Sequence, residues 1–290
     1  MSTLDVTSPP NLVVGCGYLG RRVAARWLEA GKRVAALTRG NTALLAADGI
    51  DPIVGDILNP NSLNHLPLAG TVLYAVGWDR SSGTSMSEVF LTGLNHVLDT
   101  LPRCERFIYV SSTGVYGQTD GELVDETSPT EPIEASGKVV LNAERLLKEK
   151  RPDAIVLRFA GMYGPNRLLR KQPLIAGEPL VGDADRLLNL IHIDDGADAA
   201  LVTESRGTRG ETYNIVDDEP VTRRAFYTLL AELLHAPPAR FDHSSEPGHA
   251  HRYVSNAKAR LTLNWQPRYP SYRSGLPIAV KESNDEGSRR

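Results

Sequence analysis

Short apolar runs alternate along the first half of the chain with longer stretches in which apolar residues return every three or four positions. The runs at 12–14, 32–37, 53–56, 71–76, 106–111 and 154–158 read as strands. The helical spacing predicts helices over 21–30, 86–101 and 134–150, with Gly31 placed to end the first and Pro102 to close the second. Strand and helix in strict alternation predict an α/β fold, a doubly wound parallel sheet covered on both faces. After Gly161 the rhythm loosens and Pro165, Pro173, Gly177, Pro179 and Gly182 interrupt it. This part reads as a smaller C-terminal substrate lobe over the strand ends, where open α/β sheets bind their ligands. The expected division is a nucleotide-binding domain over 1–165, to which residues around 189–216 return, and an interleaved substrate-binding lobe over 166–280. Residues 281–290 have no apolar member and are expected to be disordered.

The link between the first strand and the first helix is Gly15-Cys16-Gly17-Tyr18-Leu19-Gly20. G-x-G-x-x-G between a strand and a helix is the fingerprint of a Rossmann-like dinucleotide-binding unit. Gly15 allows the tight turn, Gly17 lets a pyrophosphate approach the backbone, and Gly20 lets the helix pack on the strand. The helix N-terminus offers free N–H groups and partial positive charge to an anion. The six loop residues are therefore expected to hold the cofactor, and Ala75, in the fourth predicted strand, is counted with them.

The charge balance adds exclusions. Across 290 residues, 32 Lys and Arg against 35 Asp and Glu give a net charge of −3, and no basic stripe appears, so nucleic acid is not an expected partner. No apolar run is long enough for a bilayer, so no membrane partner is expected either. Residues 1–10 lack the basic and apolar regions of a secretion signal and read as a loose leader. Cys16 and Cys104 form neither a disulfide framework nor a metal-ligand spacing, which fits a cytoplasmic protein without a metal. Cys16 reads as a small residue under the phosphate turn, with a reactive thiol near the helix N-terminus as the alternative.

Which dinucleotide is bound depends on the end of the second strand. Sites that prefer NAD place an Asp or Glu there, on the ribose 2′-OH. Here the strand ends in Thr38 and Arg39, a hydroxyl and a guanidinium that both suit a 2′-phosphate. NADP(H) is thus the expected cofactor, with NAD(H) the alternative. Asp56 is placed to accept from the adenine amino group, with Ile57 packing on the ring; a turn aspartate is the competing reading.

Several segments, in order, resemble the extended short-chain dehydrogenase/reductases, also called the NAD-dependent epimerase/dehydratase family. They are the glycine loop, the segment 55–58, the serine motif 109–117, the acidic loop 125–129, the "LR…YGP" stretch 157–165, the "IHVDD" stretch 189–195 and the "YNV-D" strand 213–218. The resemblance runs from Asn11 to Pro277. It implies hydride transfer through a Tyr-x-x-x-Lys pair, a catalytic serine at Ser112, and a homodimer built on the helices around 86–101 and 134–150. This chain departs from it: Ser136 stands at the tyrosine position and Val140 at the lysine position, and no tyrosine lies between Tyr116 and Tyr163. Val14 also replaces the first glycine of the extended-type motif. The run from Pro132 to Lys138, the segment 252–256 and Tyr269-Pro270 look like an atypical branch whose members are described as NAD(P)-binding proteins or epimerases.

Ser112 is expected to polarise a substrate oxygen, or else to finish the strand and make a local turn. Tyr163 is the phenol considered as a replacement acid. Lys138 is expected to be solvated, Tyr116 to pack, His192 to tie the second lobe to the first, and Asp194 and Asp195 to cap the next helix. Two functions follow. One is an NAD(P)-dependent epimerase/dehydratase-like oxidoreductase acting on a small polar metabolite such as a sugar or nucleotide-sugar. The other is a redox-inactive NADP(H)-binding sensor or scaffold.

Overall fold

The structure, a computed structural model, describes residues 8–242 and 250–287. Seven strands form the main sheet: β1 (Asn11–Val14), β2 (Val34–Thr38), β3 (Asp51–Val54), β4 (Ala69–Tyr74), β5 (Cys104–Ser112), β6 (Ile155–Phe159) and β7 (Thr212–Ile215). Their order is β7-β6-β5-β4-β1-β2-β3. From β5 through β3 each strand pairs with its neighbours in parallel. Chain direction across the sheet reverses between β1 and β4, so the loop after β1 lies at the topological switch point, where doubly wound sheets bind ligands.

Nine helices accompany the strands among the described residues: α1 (Gly20–Glu29), α2 (Thr42–Ala47), α3 (Gly93–Thr100), α4 (Ala135–Lys150), α5 (Lys171–Ile175), α6 (Ile193–Arg206), α7 (Arg223–Leu233), α8 (Ala257–Leu263) and α9 (Tyr272–Gly287). α1 buries Val23, Ala24 and Trp27, and ends in a Schellman turn. There Gly31, at φ +76°, donates to the Leu28 carbonyl at 2.9 Å, and Lys32 donates to that of Trp27 at 2.9 Å. The helix expected over 86–101 runs from Met86 to Thr100, with a π-helical turn, Glu88–Thr92, inside it before α3. Gly93 lies where a Cβ would meet Ile57 Cδ1 at 2.5 Å, so Ile57 packs directly on the helix backbone there. The strand expected at 53–56 is shifted to Asp51–Val54. Gly55 falls just past it, crowded by Leu37 and the Ser62 carbonyl.

The chain divides into two compact units. Unit 1 holds residues 1–115, 135–158 and 197–213, and unit 2 holds 116–134, 159–196 and 214–290. Residues 116–134 and 159–165, expected in the nucleotide-binding domain, group with unit 2. The core of unit 1 gathers Leu12, Val14, Val72, Phe107, Leu94 and Leu147, with Tyr74 stacked on Tyr109 at 5.6 Å. Trp27, fully buried, donates from Nε1 to Glu204 at 2.8 Å. The core of unit 2 is built on Tyr163, Phe226, Tyr272 and Leu276. The tail expected to be disordered from 281 instead continues α9 to Gly287, while residues 288–290, like the leader residues 1–7, lie outside the described residues. Propagation explains this: an apolar-anchored helix extends through Lys and Glu at little cost once nucleated. No helix among the described residues is long and apolar enough to cross a membrane.

Candidate active site

The glycine loop divides its work among three positions. Gly15 has φ +94°, and a Cβ there would meet the Ala75 carbonyl carbon at 2.5 Å and the Val76 nitrogen at 2.6 Å. Ala75 in turn donates to the Val14 carbonyl at 2.7 Å. A Cβ on Gly20 would meet the Gly15 carbonyl oxygen at 2.4 Å and Val13 Cγ1 at 2.9 Å, so this glycine sets the approach of α1 to β1. Gly17 is the opposite case, with nothing within 4 Å of a Cβ, and it is exposed. Two glycines are thus consumed by packing, and the middle one leaves open space beside backbone. α1 has no side-chain N-cap and no acid in its first turn. Its dipole therefore meets no carboxylate of its own there, as an anion site requires.

The other loop residues complete the rim. Leu19 is buried, so only its backbone is offered to a ligand. Tyr18 is half-buried beneath the Arg22 guanidinium, 4.5 Å from the ring centre. Cys16 is half-buried, and desolvation raises its thiol pKa to about 11. At pH 8 about one thiol in a thousand is then ionised. Iodoacetamide should modify Cys16 about a hundredfold more slowly than an ordinary cysteine, a rate that peptide mass spectrometry measures; modification at the ordinary rate would show the thiol to be activated.

At the end of β2 the Thr38 hydroxyl accepts from the amides of Gly40 and Asn41 at 3.3 and 3.1 Å, so it shapes the turn that carries Arg39. Arg39 is exposed. The strand itself ends without an acid, while the Asp79 carboxylate lies within electrostatic reach of Arg39. Asp56 accepts from the Leu58 amide at 2.9 Å, the turn role, and Ile57 is held through its carbonyl by His96 Nδ1 at 2.9 Å.

Ser112 ends β5, half-buried, and its Oγ accepts from the Gly114 amide at 3.1 Å. The acceptor side of the hydroxyl is thus used in the local turn, which leaves its proton to donate to another oxygen. Next to it Ser111 donates to Glu144 Oε1 at 2.5 Å, and Glu144 is clamped by Arg158 at 3.0 and 2.7 Å, all three side chains being buried. This ion pair anchors the end of β5 to α4 and β6. Gly15, Gly17, Gly20, Ala75, Thr38, Arg39 and Ser112 are accordingly gathered at the C-terminal ends of unit 1's parallel strands. On α4, Ser136 and Lys138 are exposed and Val140 is buried.

Tyr163 does not fit the acid role. It is fully buried in unit 2's core, edge-on to His192 at 5.4 Å and to Phe226 at 6.2 Å. A Cβ on Gly275 would meet its hydroxyl at 2.1 Å. Desolvation and the nearby Asp217 and Asp195 push its pKa far above that of an ordinary phenol. His192, also fully buried, packs on Tyr163 and on Tyr269 at 4.3 Å, both in its own unit, and Asp194 donates its amide to Nδ1 at 3.3 Å. Asp195, expected as a helix cap, instead accepts from the amides of Arg268 and Tyr269 at 2.7 and 2.9 Å. Tyr116 packs as expected, buried and bonded to Asn214 Oδ1 at 2.9 Å.

A cationic cluster in unit 2 escaped the sequence reading. Arg252 is buried, and burial together with Arg186 lowers its pKa to about 10, with Glu134 and Tyr116 opposing. Glu134, which pairs with Arg186 at 3.3 Å, supplies negative charge beside the two guanidiniums. The sequence signal was the polar residue Arg252 at an inward position of the strand Arg252–Val254, beside outward Tyr253.

A seven-stranded doubly wound sheet with this loop at its switch point defines a dinucleotide-binding α/β protein. The chain belongs to the NAD dependent epimerase/dehydratase family, which matches residues 11–216. It is similar to the protein YeeZ of Escherichia coli (strain K12), 28% identical over 270 residues that make up 89% of this chain and 95% of YeeZ. Its fold is shared with DesIV, a dTDP-glucose 4,6-dehydratase of Streptomyces venezuelae solved with NAD and TYD bound. That likeness has a TM-score of 0.82 at 23% identity and covers 97% of this chain and 98% of the other. The UDP-glucose 4-epimerase of Thermotoga maritima, solved with UDP-glucose, has a TM-score of 0.80 at 21% identity, covering 96% and 99%.

Proposed function

We propose that this protein binds NADP(H) on the glycine loop of unit 1 and acts as an epimerase/dehydratase-like oxidoreductase on a sugar or nucleotide-sugar. The observation that carries the reading is the open backbone at Gly17 between two glycines already spent on packing. Loop and helix amides take the pyrophosphate, Arg39 with the Thr38 turn takes the 2′-phosphate, and Asp56 with Ile57 takes the adenine side. When bound, the nicotinamide supplies a hydride donor or acceptor. Ser112 donates its proton toward the reacting oxygen and holds it in place. The substrate class rests on the relatives, which include a dTDP-glucose dehydratase and a UDP-glucose epimerase.

Arg39→Ala should weaken NADPH binding by about 1.5–3 kcal/mol, the range for charge-assisted hydrogen bonds, and leave NADH binding nearly unchanged. Fluorescence titration with both cofactors measures this; equal losses would remove Arg39 from the 2′-phosphate site.

One observation favours a second reading. By the resemblance, Ser136 and Val140 stand in place of the family's phenol and ammonium, and α4 leaves Ser136 exposed and Val140 buried. A protein without that pair can bind NADP(H) and report its level without turnover. Incubation with NADPH or NADP and a panel of dTDP- and UDP-sugars, with product analysis, separates the two. Turnover that falls in Ser112→Ala supports the enzyme; tight binding with no product from any sugar supports the sensor.

A further inference from the structure

Unit 2 contains a carboxyl group that the proposed chemistry does not use. Asp217, in the loop after β7, is 2% exposed, and neither of its oxygens has a hydrogen-bond partner. The groups around it are acidic or phenolic. Asp195 faces it from α6, Tyr163 from the strand Gly161–Tyr163, and Asp218 and Glu219 from its own loop. His192 packs against the same Tyr163 ring, whose electrostatics Tyr269 shares. The guanidiniums of Arg260 and Arg273 are engaged by Asp218 at 2.9 Å and Glu219 at 3.3 Å. The Glu219 amide is turned toward the carboxyl and steadies a charge on it, though not enough to offset the burial. An ionised carboxylate in such a place is costly, so the group keeps its proton.

The same loop fastens three parts of unit 2. The Asp217 amide donates to the Leu190 carbonyl at 2.8 Å, and the Asp218 amide to that of Pro270 at 2.9 Å. Asn256, just before α8, donates to the Val216 carbonyl at 2.9 Å and to Asp218 Oδ1 at 2.7 Å. The loop therefore holds the strand Leu190–His192, the start of α8 and the turn into α9 together.

We propose that the loop 216–220 is a proton-held clasp: the neutral Asp217 carboxyl lets it close, and loss of that proton opens it and frees the start of α8 and the turn into α9. Burial first, and then the neighbouring acids, raise the pKa of Asp217 to about 9, from an ordinary 3.8 in the unfolded or opened chain. The closed state then binds one more proton than the open state across that interval. Its stability falls as pH rises from about 4 to about 9 and changes little above.

Hydrogen–deuterium exchange at pH 6 and pH 9, corrected for the intrinsic pH dependence of exchange, tests the clasp in the full chain. The amides of Asp217 and Asp218 and those of α8 should lose at least tenfold in protection at pH 9 in the wild type. In Asp217→Asn, neutral and nearly isosteric, protection should be the same at both values. A wild type that keeps its protection at pH 9 overturns the clasp, whatever the variant does. So does an Asp217→Asn protein that loses protection equally. Should Asp217→Asn fail to fold, Asp217→Ser serves in its place under the same criterion.

Discussion

Arg158→Ala will destabilise the protein by about 3–5 kcal/mol, the cost of leaving one member of a buried ion pair without the other. In the wild type both Glu144 oxygens are bonded to the Arg158 guanidinium, and Ser111 adds a third hydrogen bond. Both charged side chains are only 9% exposed. After the substitution the carboxylate keeps the Ser111 hydroxyl and loses its counter-ion in a region water does not reach. Urea denaturation measures the loss. The double variant Glu144→Gln/Arg158→Met should lose much less than the two single variants added together, because it removes the charges and keeps the volume. A loss below about 1 kcal/mol for Arg158→Ala would mean that the pair is effectively solvated.

Gly15→Ala is expected to have a comparable effect by a different route. The added methyl would lie 2.5 Å from the Ala75 carbonyl carbon and 2.6 Å from both the Ala75 oxygen and the Val76 nitrogen. These are backbone atoms just past the end of β4, pinned by the bond from Ala75 to Val14, so they cannot step aside without breaking that bond. The residue would also have to keep φ +94°. Strain of about 1–3 kcal/mol from the dihedral and about 1–3 kcal/mol from overpacking sum to about 2–6 kcal/mol. Chemical denaturation should show it, together with loss of NADPH binding, because the loop after β1 must move. A variant with wild-type stability would show that the turn has another conformation open to it.

What could be read from the chain without coordinates was what local backbone chemistry decides. The three glycines of the loop do three different jobs because of φ and of contacts within a few residues of chain, or with the adjacent strand. The end of β2, with Arg39 and no acid, is legible for the same reason. Burial decides the rest, and burial is set by residues far away in sequence. Tyr163 looks like an available phenol in a glycine-flanked segment; only the packing of α9 through Gly275 shows that its hydroxyl is walled in. Asp195 carries the pattern of a helix cap, yet its carboxylate is taken by amides 73 and 74 residues further along the chain. Asp217 and Arg252 stand in segments that resemble family motifs, 213–218 and 252–256, and their significance lies in the burial and the charges that the fold brings beside them. Just past β3, Gly55 is pressed between Leu37 and Ser62, a contact that nothing near Gly55 in sequence announces.

The binding of a dinucleotide at the glycine loop is the claim on which the functional reading stands, and Gly17 tests it most directly. Because nothing lies within 4 Å of a Cβ at this position, Gly17→Ala should melt at the wild-type temperature. The same methyl would occupy the space the pyrophosphate needs. Calorimetric titration with NADPH should therefore show affinity lowered about tenfold or more, equivalent to about 1.4 kcal/mol. Unchanged melting with unchanged NADPH affinity would contradict the placement of the cofactor on this loop.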